Sequence, residues 1–156
     1  MLLENNVVST RGISGDTATI MNHLLSNVIN GPNGTGRSAK FSDMPLIGKT
    51  GTTTDDKDRW FVGETPYYVG VAWFGYDMPK QILGVSGNPA LNIWKTVMTK
   101  VHAKLPIKSF VEDPNVVTQL YCNTTGDIAT SACPSVSQGW YKKDSIPKIC
   151  EVHPAP

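Results

Sequence analysis

Residues 46–76 carry three strand-like segments joined by links too short to hold a crossover, and nothing else in the chain constrains its fold as much. The first, 46–53, is rich in β-branched residues. The second covers 59–63, and the turn Glu64-Thr65-Pro66-Tyr67 leads into the third, 68–76. A parallel pair needs a dozen or more residues between its strands, so neighbours with such links pair antiparallel. The third segment reads Tyr68, Val69, Val71, Ala72, Trp73, Phe74 with little polar alternation, which predicts a strand buried on both faces.

Helical patterns flank these strands. Ser14, Gly15 and Asp16 offer capping groups ahead of Ala18, Met21, Leu24, Leu25 and Val28, which recur at helical spacing. Asn30-Gly31-Pro32 ends that helix, because glycine accepts the left-handed cap and proline cannot continue the ladder. A loop, Asn33-Gly34-Thr35-Gly36, and a short helical turn over 37–41 follow. Asn88-Pro89 opens a second helix, with asparagine as N-cap and proline at the first helical position. Its stripe of Leu91, Trp94, Val97, Met98 and Val101 is predicted to lie on the sheet. Beyond Leu105, prolines at 106, 114, 134, 147, 154 and 156 break the pattern, and only 116–121 reads as a strand. The expected organisation is therefore an α+β domain part over 1–105, with an antiparallel sheet of about three strands packed with helices. A Pro-rich, Cys-containing tail module over 106–156 completes the chain.

At 156 residues and net charge +1, the chain lacks the basic excess that a nucleic-acid binder needs to neutralise phosphates. No apolar run approaches a membrane span, and Met1 to Asn6 has neither the basic flank nor the apolar stretch of a signal peptide. Cys122, Cys133 and Cys150 all lie in the last third, with His153 at C-x-x-H spacing from Cys150. A single disulfide ranks first, reduced thiols second and a structural zinc site last, since Cys122 and Cys133 are not spaced as a ligand pair. Neither metal nor cofactor is expected. His23, His102 and His153 are scattered, with no serine partner beside any of them, and are expected to be packed or solvated. The triplets Asn33-Gly34-Thr35 and Asn123-Thr124-Thr125 match a glycosylation acceptor by chance.

Lys49-Thr50-Gly51-Thr52-Thr53 is the most informative string. Gly48-Lys49-Thr50 is not the end of a phosphate-binding loop, because Asp43 stands where that loop needs glycine and a strand follows where it needs a helix. As a strand, the string aligns the hydroxyls of Thr50 and Thr52 on one face, with Lys49 adding positive charge beside them. Gly51 allows another backbone to approach. This arrangement suits an anionic, extended peptide laid along an open sheet edge, its carboxylate on the hydroxyls. An ordinary threonine-rich strand with an exposed lysine satisfies the same residues.

With its surroundings, the string resembles the penicillin-binding proteins. The similarity runs through Asp58-Arg59-Trp60-Phe61-Val62-Gly63-Glu64-Thr65-Pro66 and Val71-Ala72-Trp73-Phe74-Gly75-Tyr76-Asp77. It extends to Gly34-Thr35-Gly36, the helix over 17–28 and Ile93-Trp94-Lys95. In the tail it takes in Cys122, Gly126, Ala129-Thr130 and Cys133. The chain is most similar to the C-terminal part of the transpeptidase domain of the bifunctional high-molecular-weight class, with its penicillin-binding and serine β-lactamase-like fold. The lysine-threonine-glycine element is one of three signatures of this family.

The resemblance implies a serine acyl-transfer enzyme that cross-links peptidoglycan stem peptides and binds β-lactams, at the bacterial cell surface, with a membrane anchor outside this segment. Lys49 would supply positive potential and organise proton transfer. Thr50 and Thr52 would hold the donor's carboxylate, with the Thr52 N–H as one oxyanion-hole donor. Thr53 belongs to the same substrate-binding string, Gly51 would permit close approach, and Trp60 would wall the cleft unless it is a core tryptophan. No cofactor is implied. The expected partners are the stem peptide, β-lactams and the remaining N-terminal part of the domain.

Two family signatures, serine-x-x-lysine with the nucleophile and serine-x-asparagine, do not occur upstream of Lys49. Ser145-Ile146-Pro147-Lys148 and Ser86-Gly87-Asn88 match them formally downstream, but the first lacks an amphipathic continuation and the second reads as the loop before a helix. The segment is thus expected to be inactive alone, and either to aggregate or to associate with the missing portion. The rivals are a fragment related to a D,D-carboxypeptidase or β-lactamase, and a non-catalytic module that holds peptides on the strand edge.

Overall fold

The strands anticipated over 46–76 form one antiparallel sheet in the order β1-β2-β3, from Ile47–Thr52, Asp58–Glu64 and Val69–Gly75. The computed structural model describes residues 8–155. Pairing is continuous, with Thr50 opposite Phe61 and Phe61 opposite Ala72. Two further elements precede and follow the sheet: α1 over Gly15–Asn30 and α2 over Pro89–Val101. A hairpin of β4, Val116–Cys122, and β5, Val136–Lys142, completes the α+β fold. No described helix is long and apolar enough to cross a membrane.

The chain divides into two compact units, Met21–Val111 and the pair Met1–Ile20 with Glu112–Pro156. In the first, α2 lies on one face of the sheet through Ala90, Leu91, Trp94 and Met98, all buried. Asn88 caps it by accepting from the Leu91 amide, and Pro89 fills the first turn, as the sequence predicts. Trp94 is the centre of this contact. Its ring meets Phe61 edge-on at 5.2 Å, and its Nε1 donates to the Gly70 carbonyl at 2.9 Å. The cross-strand pair Gly63 and Gly70 makes the notch that receives it, for a Cβ on either would stand 2.5 or 2.7 Å from the indole. Burying Phe61, Leu91 and Trp94 stabilises this unit by about 1.5–3 kcal/mol each.

Two expectations about burial fail here. Val97 and Val101 are 53% and 46% exposed, because Ala90, Leu91, Trp94 and Met98 complete the turn-by-turn contact with the sheet. The third strand is not buried on both faces: of β3 only Ala72 is buried, while Val69 and Val71 are 64% and 60% exposed. Helix α2 covers the Ala72 side. The opposite face is left with Trp60, Val62, Val71 and Trp73 showing.

The second unit is built differently. Its hairpin pairs Val116 with Lys142 through to Cys122 with Val136. The sequence predicts a strand only at 116–121, and β5 was outside that expectation. Ile128 bridges Tyr121 on one side and Ile149 on the other, so the chain beyond β5 returns to the hairpin. The Asp113 amide donates to Thr19 Oγ1 at 2.9 Å, and Lys142 pairs with Asp16 at 3.2 Å. Among the described residues of this unit only Thr19, Cys122 and Cys150 are buried.

Candidate functional site

Strand β1 is an edge. It pairs with β2 on one side, and no other described strand lies along its outer margin. The direction of its amides follows from the turn that closes the ladder. Thr53 N donates to Asp58 O at 3.1 Å, so the pair of residues 53 and 58 is hydrogen-bonded inward. Antiparallel ladders alternate, which turns the N–H and C=O groups of Thr52, Thr50 and Gly48 outward, toward the open edge. The β2–β3 turn agrees with this phase: Thr65 N donates to Tyr68 O at 2.9 Å, directing odd-numbered β2 residues to β3 and even-numbered ones to β1.

The side chains alternate likewise. Thr50 and Thr52 stand opposite Phe61 and Arg59 on one face, and Lys49 and Gly51 stand opposite Val62 and Trp60 on the other. Lys49 is exposed, and its Nζ donates to the Thr50 carbonyl at 2.8 Å, across the outer margin of the strand. Thr50 is half-buried, and its Oγ1 lies 2.8 Å from Thr35 Oγ1. Thr52 is exposed. A hollow beside Lys49 is lined by Leu25, Ile47, Val62 and Glu64, and burial there pushes the Glu64 carboxyl above its ordinary range.

Gly51 sits against Trp60, where an added Cβ would stand 3.2 Å from the tryptophan Cβ. Trp60 is not a core residue. It is 41% exposed and tilts against Trp73 at 6.2 Å, while Trp73 Nε1 donates to Asp58 Oδ1 at 2.8 Å. Thr53 is engaged differently from Thr50 and Thr52. Its hydroxyl donates to Asp58 Oδ2 at 3.0 Å and accepts from the Asp58 amide at 2.9 Å, closing the β1–β2 turn. Arg59 braces the same end. It grips the Asp56 carboxylate and the Val85 and Gly87 carbonyls, and this guanidinium holds the Asp56 carboxyl below its usual range.

Thr35 is the neighbour of the candidate strand that strand reasoning missed. It belongs to a loop tied to α1 by the Gly36 amide on the Val28 carbonyl at 2.9 Å. The Gly34-Thr35-Gly36 triplet was visible in the sequence, but its meeting with Thr50 is a product of the fold. The downstream serine motifs do not form a nucleophile site. Residues 145–148 are irregular chain, with Lys148 paired to Glu151 at 2.8 Å. Gly87 and Asn88 form the loop and cap of α2, and Asn88 Nδ2 donates to the Trp60 carbonyl at 2.9 Å.

No protein-family profile matches the chain. It is 36% identical over 148 residues to penicillin-binding protein 1A of Clostridium acetobutylicum, across 88% of this chain and 18% of that protein. Penicillin-binding protein 1A of Clostridium tetani is 34% identical over 163 residues, across 98% of this chain and 20% of its own length. The chain belongs to the penicillin-binding protein family. Similarity to this family reaches beyond the clostridia, with 36% identity over 149 residues to penicillin-binding protein 1A of Pseudomonas aeruginosa. The crystal structure of penicillin-binding protein 1A from Haemophilus influenzae matches with a TM-score of 0.70 at 23% identity, over 87% of this chain and 21% of that one. Its likeness gives the fold of this penicillin-binding protein segment. The chain spans 18–20% of the length of the two clostridial relatives.

Proposed function

We propose that this chain furnishes one wall of the active site of a serine-type D-alanyl-D-alanine transpeptidase, which cross-links peptidoglycan stem peptides and is acylated by penicillin. The open margin of β1, with the Thr50 and Thr52 amides turned away from β2, carries this reading. A stem peptide in extended form pairs along such a margin through its main chain. Its terminal carboxylate, or that of a β-lactam, meets the hydroxyls of Thr50 and Thr52, and Lys49 holds the positive potential that draws it there. The Thr52 amide is one of two donors to the oxyanion. Gly51 leaves room for the approach, and Trp60 flanks it.

The nucleophile is a serine from a portion of polypeptide outside these residues. Its oxygen attacks the D-alanyl-D-alanine carbonyl and the terminal D-alanine leaves with a proton. The amine of a second stem peptide then takes the acyl group and returns the serine. The segment is inactive alone. It works outside the cytoplasm, and its membrane anchor lies elsewhere in the polypeptide.

Fluorescent penicillin tests this directly. The isolated chain is expected to give no acylated band. Co-expressed with the preceding part of its own polypeptide, it is expected to restore labelling on that part, and Thr50→Val or Lys49→Met is expected to reduce the labelling. Absence of labelling in the assembled pair overturns the proposal, as does labelling of the isolated chain. A stem-peptide donor offered an amine acceptor yields a cross-linked product for a transpeptidase; hydrolysis alone assigns a carboxypeptidase instead.

A further inference from the structure

Among its described residues, the second unit lacks the apolar core that normally holds a domain of its size together. The apolar cluster of the protein, from Ile29 to Met98, lies wholly in the other unit. Two of the three buried residues described in the second unit are cysteines, Cys122 at 0% and Cys150 at 2% exposure. A unit too small for a sufficient core is usually stapled by disulfides or a metal. All three cysteines are free.

The hairpin removes the objection that Cys122 and Cys133 stand too far apart in sequence. Cys122 ends β4, Cys133 lies in the connection before β5, and Cys150 and His153 come from the segment that returns past Ile128. One ligand atom from each of the four lies within 4.8 Å of all the others. His153 Nδ1 is 3.5 Å from Cys122 Sγ and 3.5 Å from Cys150 Sγ. Zinc–sulfur bonds of about 2.3 Å and zinc–nitrogen bonds of about 2.0–2.1 Å at tetrahedral angles require a sulfur–nitrogen edge of about 3.6 Å. The two observed edges meet that requirement.

We propose that Cys122, Cys133, Cys150 and His153 bind a structural zinc ion. Three sulfurs and one imidazole are a soft, tetrahedral donor set, which selects zinc over the hard divalent cations. The four protein ligands close the coordination sphere, so the ion leaves no open position for substrate and joins three chain segments instead.

The backbone around the sulfurs is arranged as an outer shell. The Thr130 amide donates to Cys133 Sγ at 3.3 Å, and Thr125 Oγ1 donates to Cys150 Sγ at 3.5 Å. Such donors orient thiolate ligands and spread their charge. The tight turn after Cys122 closes with Gly126 N on the Cys122 carbonyl at 2.8 Å, with Gly126 at φ +81°, a conformation glycine accepts readily.

The test uses the 156-residue chain, purified or refolded in reducing buffer containing zinc and then freed of excess metal. Elemental analysis is expected to find about one zinc per chain, with removal by a chelator unmasking all three thiols to a thiol reagent. Cobalt in place of zinc is expected to give the visible bands of a tetrahedral, thiolate-ligated ion, a readout that needs no mutant. Cys133→Ser and His153→Ala are expected to bring zinc below about 0.1 per chain or weaken it by at least about 10-fold. Folded, reduced wild-type chain that takes up neither zinc nor cobalt overturns the proposal. So does iron in place of zinc, a disulfide between any two of the three cysteines under these conditions, or full zinc retention in both variants.

Discussion

Thr35 Oγ1 lies 2.8 Å from Thr50 Oγ1, joining the loop after α1 to the middle of the open strand. Because Thr50 is rooted in β1 while Thr35 sits in a loop, the bond orients the Thr50 hydroxyl rather than creating it. A neutral hydrogen bond of this kind contributes about 0.5–1.5 kcal/mol. Thr35→Val is therefore expected to slow penicillin acylation of the assembled enzyme by about 2- to 10-fold, with Thr35→Ser close to wild type. Acylation rates of both variants, alongside Thr50→Val, check this. A Thr35→Val rate equal to wild type removes Thr35 from the site.

The notch at Gly63 and Gly70 makes a prediction about stability alone. A methyl group at Gly70 would meet Trp94 Nε1 at 2.7 Å and strain the hydrogen bond to the Gly70 carbonyl, and one at Gly63 would meet the ring itself. Overpacking a fitted core costs about 1–3 kcal/mol. Gly70→Ala and Gly63→Ala are expected to lower the urea midpoint of this unit accordingly. Gly12→Ala, where nothing lies within 4 Å of the added Cβ, is expected to leave it unchanged.

These elements differ in how far sequence alone could reveal them. Asn88-Pro89 and the short links of 46–76 are local signals, and both read correctly because cap chemistry and chain connectivity leave few alternatives. The burial of β3 did not read correctly, because an apolar run looks the same whether one face or two are covered. Strand β5 was hidden by Ser137, Gln138 and Gly139, which do not favour a strand by themselves and take that form through pairing with β4. Thr35 and the sulfur cluster depend on contacts between distant segments. No spacing rule brings Thr35 to Thr50, or Cys133 to Cys122.

His102 is buried between two elements and supports the turn that ends β2. Its Nε2 meets Thr65 Oγ1 at 2.8 Å and its Nδ1 meets the Met98 carbonyl at 2.8 Å. A carbonyl only accepts, so Nδ1 carries a proton. Thr65 Oγ1 also accepts from the Tyr67 and Tyr68 amides, which leaves its hydroxyl hydrogen for Nε2. Removing the hydroxyl strands a buried ring nitrogen and two amides. Thr65→Val is expected to destabilise the sheet unit by about 1–3 kcal/mol in chemical denaturation, while Thr65→Ser retains most of that stability.

Acid should loosen the second unit through Asp16. Its carboxylate accepts from Ser14 Oγ and the Thr17 amide and pairs with Lys142, and these contacts, Ser14 foremost, bring its pKa down from 3.8 to about 2. A carboxyl whose folded value lies below its unfolded value binds protons more readily when the chain is unfolded. Its contribution is therefore complete above about pH 4 and is lost as pH falls toward 2. Asp16 is a surface group screened by solvent, so the effect is read as a change in pH dependence rather than a large loss at neutrality. Asp16→Asn is expected to flatten the acid limb of the unfolding midpoint between about pH 4 and 2, and Lys142→Met to raise the Asp16 carboxyl titration seen by NMR. An Asp16 titration near the ordinary 3.8 in the wild-type chain would mean that the Ser14 and Lys142 contacts do not persist in solution.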